Sequence, residues 1–129
     1  VFGLETVEEQ LSAFDKLPAK DQVEMLIYAL NNLDQMPMIY RELTKSYLAR
    51  DLKALLKISQ ENFKTEDKGQ IERFQEALIY SRNRRMAERL LDRLLAGGIF
   101  VAVGALHLPG EKGLLNILHK RGFHVERVY

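Results

Sequence analysis

The segment Phe100-Val101-Ala102-Val103-Gly104-Ala105-Leu106-His107-Leu108-Pro109-Gly110-Glu111 constrains this chain more than any other. A short β-branched apolar run has the signature of a buried strand. This one stops at a glycine, with a histidine three residues further on. Pro109-Gly110 turns the chain, residues 113–121 read as a helix closed by Gly122, and a second apolar segment runs from Phe123 to Tyr129. Strand, helix and strand in that order predict two parallel strands, 99–103 and 123–128, joined by a right-handed crossover. Sheets of this kind hold ligands at the carboxyl ends of their strands, which makes His107 the first candidate for chemistry. A hydrogen-bonded turn histidine has the same spacing, and Gly104 serves equally well to relieve crowding at a strand end.

Residues 6–96 carry helical patterning almost throughout. Thr6-x-x-Glu9 is a capping box, Val7, Leu11 and Phe14 share one face, and Leu17-Pro18 ends the first helix. Val23, Leu26, Ile27, Leu30 and Leu33 repeat at helical spacing until Met36-Pro37-Met38 interrupts; Tyr40, Leu43 and Tyr47 continue on a third helix. Asp51 can cap a fourth, with Leu52, Leu55 and Leu56 inward. Glu61 to Gly69 is the most polar stretch and reads as an exposed loop. Ile71, Phe74 and Leu78 mark a fifth helix, and Ala87, Leu90, Leu91 and Leu94 a sixth that stops at Gly97-Gly98. The expectation is therefore an α+β or α/β fold: a helical region over 6–96 followed by a βαβ unit over 97–129, within a single domain or part of one. Two strands seldom make a stable sheet alone, so they should join strands beyond this chain. Val1-Phe2-Gly3-Leu4-Glu5 reads as the tail of a strand, in keeping with a chain cut from a larger protein.

The 129 residues are 47% hydrophobic, enough for a core, and carry a net charge of +1. That balance gives no electrostatic case for nucleic acid or an anionic membrane. No apolar run is long enough to span a bilayer. The absence of cysteine excludes disulfides, zinc–thiolate sites and thiol nucleophiles.

Arg82, Arg85, Arg89 and Arg93 lie within one narrow arc of the sixth helix, opposite its leucines. Charge runs of this kind usually form a solvated face, with Arg84/Glu88 and Arg89/Asp92 spaced for weak surface pairing. Arg82, placed at a helix start, gains nothing from the helix dipole there; an anionic ligand or a carboxylate would hold it, and a surface location accounts for it equally. Glu5 follows an expected strand end as His107 does. Together the two could bind a metal or share acid–base work, although Glu5 would also simply favour the next helix N-terminus. His119 and His124 read as structural.

Gly3-Leu4-Glu5-Thr6 with Glu9-Gln10, Arg82-Asn83-Arg84-Arg85-Met86-Ala87, and the run from Phe100 to Leu115 resemble the opening and closing segments of the TraB/GumN family, which includes the Tiki proteins. Tyr47 to Leu52 resembles a central motif, with Arg50 where glycine is usual. The resemblance covers essentially the whole chain, and its carboxyl-terminal block is the specific part. It implies a metal-dependent, peptidase-like hydrolase related to the erythromycin esterase and ChaN folds, using two G-x-x-H motifs with an acidic residue and an arginine. Carried over, the second motif is Gly104/His107, the acidic residue Glu5 and the arginine Arg82, with Asn83 beside it. Glu5, Arg82 and His107 are then the catalytic candidates, His107 and Glu5 the metal ligands, and Gly104 and Asn83 cofactor-binding.

The other G-x-x-H motif would lie upstream of Val1, so this chain by itself should be inactive and bind metal weakly. Manganese, cobalt, iron and zinc all suit oxygen and nitrogen donors. The implied substrate is a peptide or small molecule, and the implied location periplasmic, secreted or lipid-anchored. A haem-binding module of the ChaN type, with His107 as axial ligand, and a non-catalytic accessory role in polysaccharide export stay open beside it. Uncovered apolar faces also predict a homodimer.

Overall fold

The computed structural model describes residues 1–62 and 67–128, and among these every regular element is helical. In chain order they are α1 (Val7–Asp15), α2 (Ala19–Asn31), a 3-10 turn (Leu33–Gln35), α3 (Met36–Leu48), α4 (Leu52–Glu61), α5 (Lys68–Gln75), a π-helical turn (Glu76–Tyr80), α6 (Ser81–Ala96), a second 3-10 turn (Ala105–His107) and α7 (Leu114–Lys120). The expected α+β fold is thus corrected. Residues 99–103 and 123–128 form no strands, and α7 alone represents the βαβ unit. An apolar run becomes a strand only when a neighbouring backbone takes up its hydrogen bonds, and no described segment pairs with either one.

The helix ends follow local chemistry. Thr6 Oγ1 accepts from the Glu9 amide at 3.2 Å, and Glu9 Oε2 accepts from the Thr6 amide at 2.9 Å, closing the capping box. Asp51 Oδ1 accepts from the Ala54 amide at 2.9 Å and starts α4. Gly97 ends α6 at φ 75°, a conformation that favours glycine. Pro37 falls in the first turn of α3, where its missing N–H costs nothing. The break before α3 comes earlier, at Asn32. The stretch expected as a polar loop, Glu61 to Gly69, falls partly outside the described residues; α4 runs to Glu61 and α5 begins at Lys68.

The fifth and sixth helices, expected as separate elements with Arg82 at the start of the sixth, are one rod, since α5 runs through the π turn into α6 without a break. Arg82 therefore lies within a long helix, two residues beyond the π turn, and has no exposed helix start to answer. A wider turn changes the angular register of whatever follows it, and π turns gather at functional sites. The rod is anchored at its α5 end to α2: buried Asp21 takes a forked pair of hydrogen bonds from Arg73 at 2.7 and 2.9 Å, and buried Gln70 donates to Glu24 at 2.8 Å.

The core sits where α6 meets α7. Met86, Ala87 and Leu114 are buried there, with Leu4, Val103 and Ile117 packed against them. The apolar stripes of α1 and α2 do not contribute: Val7, Leu11, Phe14, Val23, Leu26, Ile27, Leu30 and Leu33 are all exposed. The two classes of apolar residue should differ sharply on truncation. Leu114→Ala, at a position 2% exposed, is expected to lose about 2–5 kcal/mol in urea unfolding. Ile27→Ala, 50% exposed, should stay within about 0.5 kcal/mol. A core-sized loss at Ile27 would mean that the stripe is covered.

Candidate active site

Four arginines on one side of α6 meet the segment that leads into α1. The Arg82 guanidinium grips the Glu5 carboxylate, Nε at 2.9 and 3.1 Å from its two oxygens and Nη2 at 2.7 Å from Oε2. Arg82 Nη1 donates to the Leu78 carbonyl in the π turn at 3.0 Å. Arg85 Nη2 adds a longer contact to Glu5 at 3.4 Å, while its buried Nε has no hydrogen bond to a described residue. Arg89 donates to the Leu4 carbonyl at 2.7 Å and to both Glu9 oxygens at 2.7 and 2.6 Å. Arg93 stacks over the Phe2 ring, 3.9 Å from its centroid. The expected solvated face is for these residues an intramolecular clamp, and the expected Arg89/Asp92 surface pair gives way to Arg89–Glu9. Arg84 likewise pairs with Glu76 rather than Glu88.

His107 closes the short 3-10 turn that Gly104 begins: the His107 amide donates to the Gly104 carbonyl at 2.9 Å. This one-turn hydrogen bond is the local meaning of the G-x-x-H spacing. Gly104 itself has φ −58°, which any residue adopts, and a Cβ there would meet only His107 Cδ2 at 3.5 Å. Gly113 is the glycine the loop requires, because a Cβ there would overlap the Leu108 and Pro109 carbonyl oxygens. That tight return carries the chain into α7 and fixes the Lys112 carbonyl over α6. Asn83, wholly buried on α6, donates through Nδ2 to this carbonyl at 2.8 Å and meets His107 Nδ1 through Oδ1 at 2.6 Å.

Glu5, Arg82, Gly104 and His107 all line one cavity of about 860 Å³, whose remaining wall is drawn largely from residues 1–4 and 99–103. The expected convergence of Glu5, Arg82 and His107 is what the structure displays. Asn83 lies behind His107, away from this lining. The Arg82 hydrogen bonds hold the Glu5 carboxyl below its ordinary 4.5 against the opposing effect of burial, with Arg85 and His107 acting in the same direction as Arg82. Burial lowers the His107 pKa from 6.5, the positive Arg82 lowers it further, and Glu5 opposes both. The imidazole is accordingly neutral at ordinary pH.

The implied metal does not fit the residues present. Among the described residues no three histidine, aspartate or glutamate side chains come together. Both Glu5 oxygens are already committed to Arg82, and a cation there would face two guanidinium groups. Spacing had no means of revealing the partners that matter most here: Arg85, Arg89 and Glu9 in the clamp, and the Lys112 carbonyl behind Asn83. Four arginines at intervals of three or four residues were a signal, but one shared by any solvated helix face.

The sequence profile of the TraB/PrgY/gumN family matches residues 1–127, and the chain belongs to this family. It is 30% identical to a Nematostella vectensis protein named Metalloprotease TIKI homolog, over 98% of this chain and 32% of that protein. An Amphimedon queenslandica protein of the same name is 35% identical over 74 residues, 52% of this chain and 14% of its own length. The chain thus spans a third or less of these relatives. No solved structure matches it. No helix among the described residues is long and apolar enough to cross a membrane.

The clamp gives the fold a defined acid sensitivity. Arg89 holds Glu9 at about 2, with the Thr6 amide assisting, and Arg82 holds Glu5 below 4.5; both return to ordinary values when the chain unfolds. A carboxyl depressed in the folded state adds stability above its unfolded pKa and loses that contribution as pH falls through the folded one. Stability should therefore decline as pH drops from about 4.5 toward 2, and Glu9→Gln should reduce that slope. Equal slopes for the two proteins in acid-titrated unfolding would show that the Arg89–Glu9 pair contributes nothing.

Proposed function

We propose that the protein belongs to a hydrolase that cleaves peptide or related acyl bonds, with His107 as its base and Arg82 beside the reacting carbonyl. The observation that carries this reading is a neutral, mostly buried imidazole lining the same cavity as a charge-compensated arginine. The names of the relatives support a peptidase in particular.

The chain's own groups account for two parts of such a reaction. His107 can take a proton from water as the water oxygen bonds to the carbonyl carbon, and can return it to the leaving nitrogen as the carbon–nitrogen bond breaks. Arg82 spends Nε, one N–H of Nη2 and one of Nη1 on Glu5 and Leu78, leaving one N–H on each terminal nitrogen for a developing oxyanion. Glu5 holds the guanidinium in place. A divalent metal is the cofactor to test, because the relatives are named metalloproteases. His107 alone among the cavity's imidazole and carboxylate groups is not tied into an ion pair, so further donors are needed to complete such a site.

Hydrolysis of a fluorogenic peptide mixture by the full-length protein, with and without divalent salts and chelator, tests the reading. His107→Ala should lower kcat/KM by about 10²–10⁴, as for loss of a general base, with circular dichroism unchanged. Undiminished hydrolysis by that variant would remove His107 from the mechanism. Sensitivity to chelator would bring a metal into it.

A further inference from the structure

We propose that Asn83 is a positioning residue that holds His107 with its proton on Nδ1, leaving the Nε2 lone pair as the reactive or ligating one. The two faces of the Asn83 amide are told apart by their surroundings. A carbonyl oxygen only accepts, so the Lys112 carbonyl at 2.8 Å must face the Asn83 NH₂ group. Rotating the amide by half a turn would set two acceptor oxygens against each other in a fully buried place, at the cost of an unsatisfied group. With the NH₂ so placed, Oδ1 is the atom 2.6 Å from His107 Nδ1. Oδ1 carries no hydrogen, and the proton of that short contact is therefore the imidazole's.

The relay begins in the backbone. The Gly113 amide donates to the Gly110 carbonyl at 3.0 Å, and the absence of a side chain at Gly113 lets the loop close beneath Leu108 and Pro109. This closure presents the Lys112 carbonyl to α6. The carbonyl orients Asn83, and Asn83 orients the imidazole. Nε2 makes no hydrogen bond with a described residue. Whether a metal or a substrate water uses that lone pair, a fixed Nδ1–H is what keeps it available. The consequence for hydrolysis rests on the function proposed above; the tautomer does not.

The test is a long-range proton–nitrogen correlation spectrum of the chain labelled with ¹⁵N-histidine, recorded above the imidazole titration range and without metal. His107→Gln assigns the signals, and exposed His119 supplies an averaged reference. Wild-type His107 should show a protonated Nδ1 and a bare Nε2, well separated. Asn83→Ala should lose that separation and move toward the His119 pattern. Asn83→Asp, which keeps an acceptor oxygen facing Nδ1 and, protonated on its other oxygen, can still donate to the Lys112 carbonyl, should retain the Nδ1–H form. In hydrolysis Asn83→Ala should lower kcat with little change in KM, and Asn83→Asp should recover part of the loss. A wild-type His107 protonated on Nε2 would overturn the proposal even if neither variant folds. An unchanged pattern in a folded Asn83→Ala would overturn it as well. If the wild-type spectrum is as expected while His107→Ala hydrolyses normally, Asn83 still sets the tautomer and the hydrolase reading fails.

Discussion

The row of arginines along α6 holds together what is otherwise a loosely covered set of helices. Arg82, Arg85, Arg89 and Arg93 recur at intervals of three or four residues, so they point the same way from a single rod. The segment from Phe2 to Glu9 lies along them, offering in turn an aromatic face, a backbone carbonyl and two carboxylates. The pairing is specific because forked guanidinium–carboxylate contacts fix direction as well as distance. It also places Glu5, which has no regular secondary structure of its own, against the same rod that carries Asn83. The amino-terminal segment and the 104–113 loop then meet the rod from two sides, and the core of Met86, Ala87 and Leu114 lies beneath them.

What could be read from the sequence was the chemistry contained within a few residues. The Thr6–Glu9 box, the Asp51 cap and the Gly97 and Gly122 stops depend on neighbours along the chain, and each is found in place. Residues 99–103 failed as a strand because strand identity depends on a partner backbone, which no local pattern specifies. The stripes of α1 and α2 failed in a related way. Their periodicity correctly gave the helix and the face, but burial of Val7, Leu26 or Ile27 requires another surface to lie on them. The continuous α5–π–α6 rod was hidden for a third reason: a π turn leaves no glycine, proline or cap to mark it.

For the candidate site, the meeting of three residues was legible and their connections were not. Glu5, Arg82 and His107 do converge on one cavity. Gly104 turns out to supply a carbonyl to the His107 turn, a backbone task to which its lack of a side chain adds nothing visible. Asn83, adjacent to Arg82 in sequence, points to the other side of the loop and touches His107 from behind. One helical residue step turns a side chain by about 100°, which is how consecutive positions come to serve the cavity and its support separately.

The charge balance of the cavity bears on what it can stabilise. Glu5 is one negative group set between two guanidinium groups, and its carboxylate is only 4% exposed, so solvent does little to screen the excess. The depressed His107 pKa has the same origin in part, since a second positive charge on the imidazole would face Arg82. Such a field favours a developing negative charge, as on a carbonyl oxygen under attack, and works against a bare cation. For Glu5 to ligate a metal it would have to give up Arg82, turning a compensated buried pair into an uncompensated guanidinium. Glu5 is better understood as the counter-ion that makes a buried Arg82 tolerable. A metal bound through His107 would then need its negative ligands from groups outside this trio.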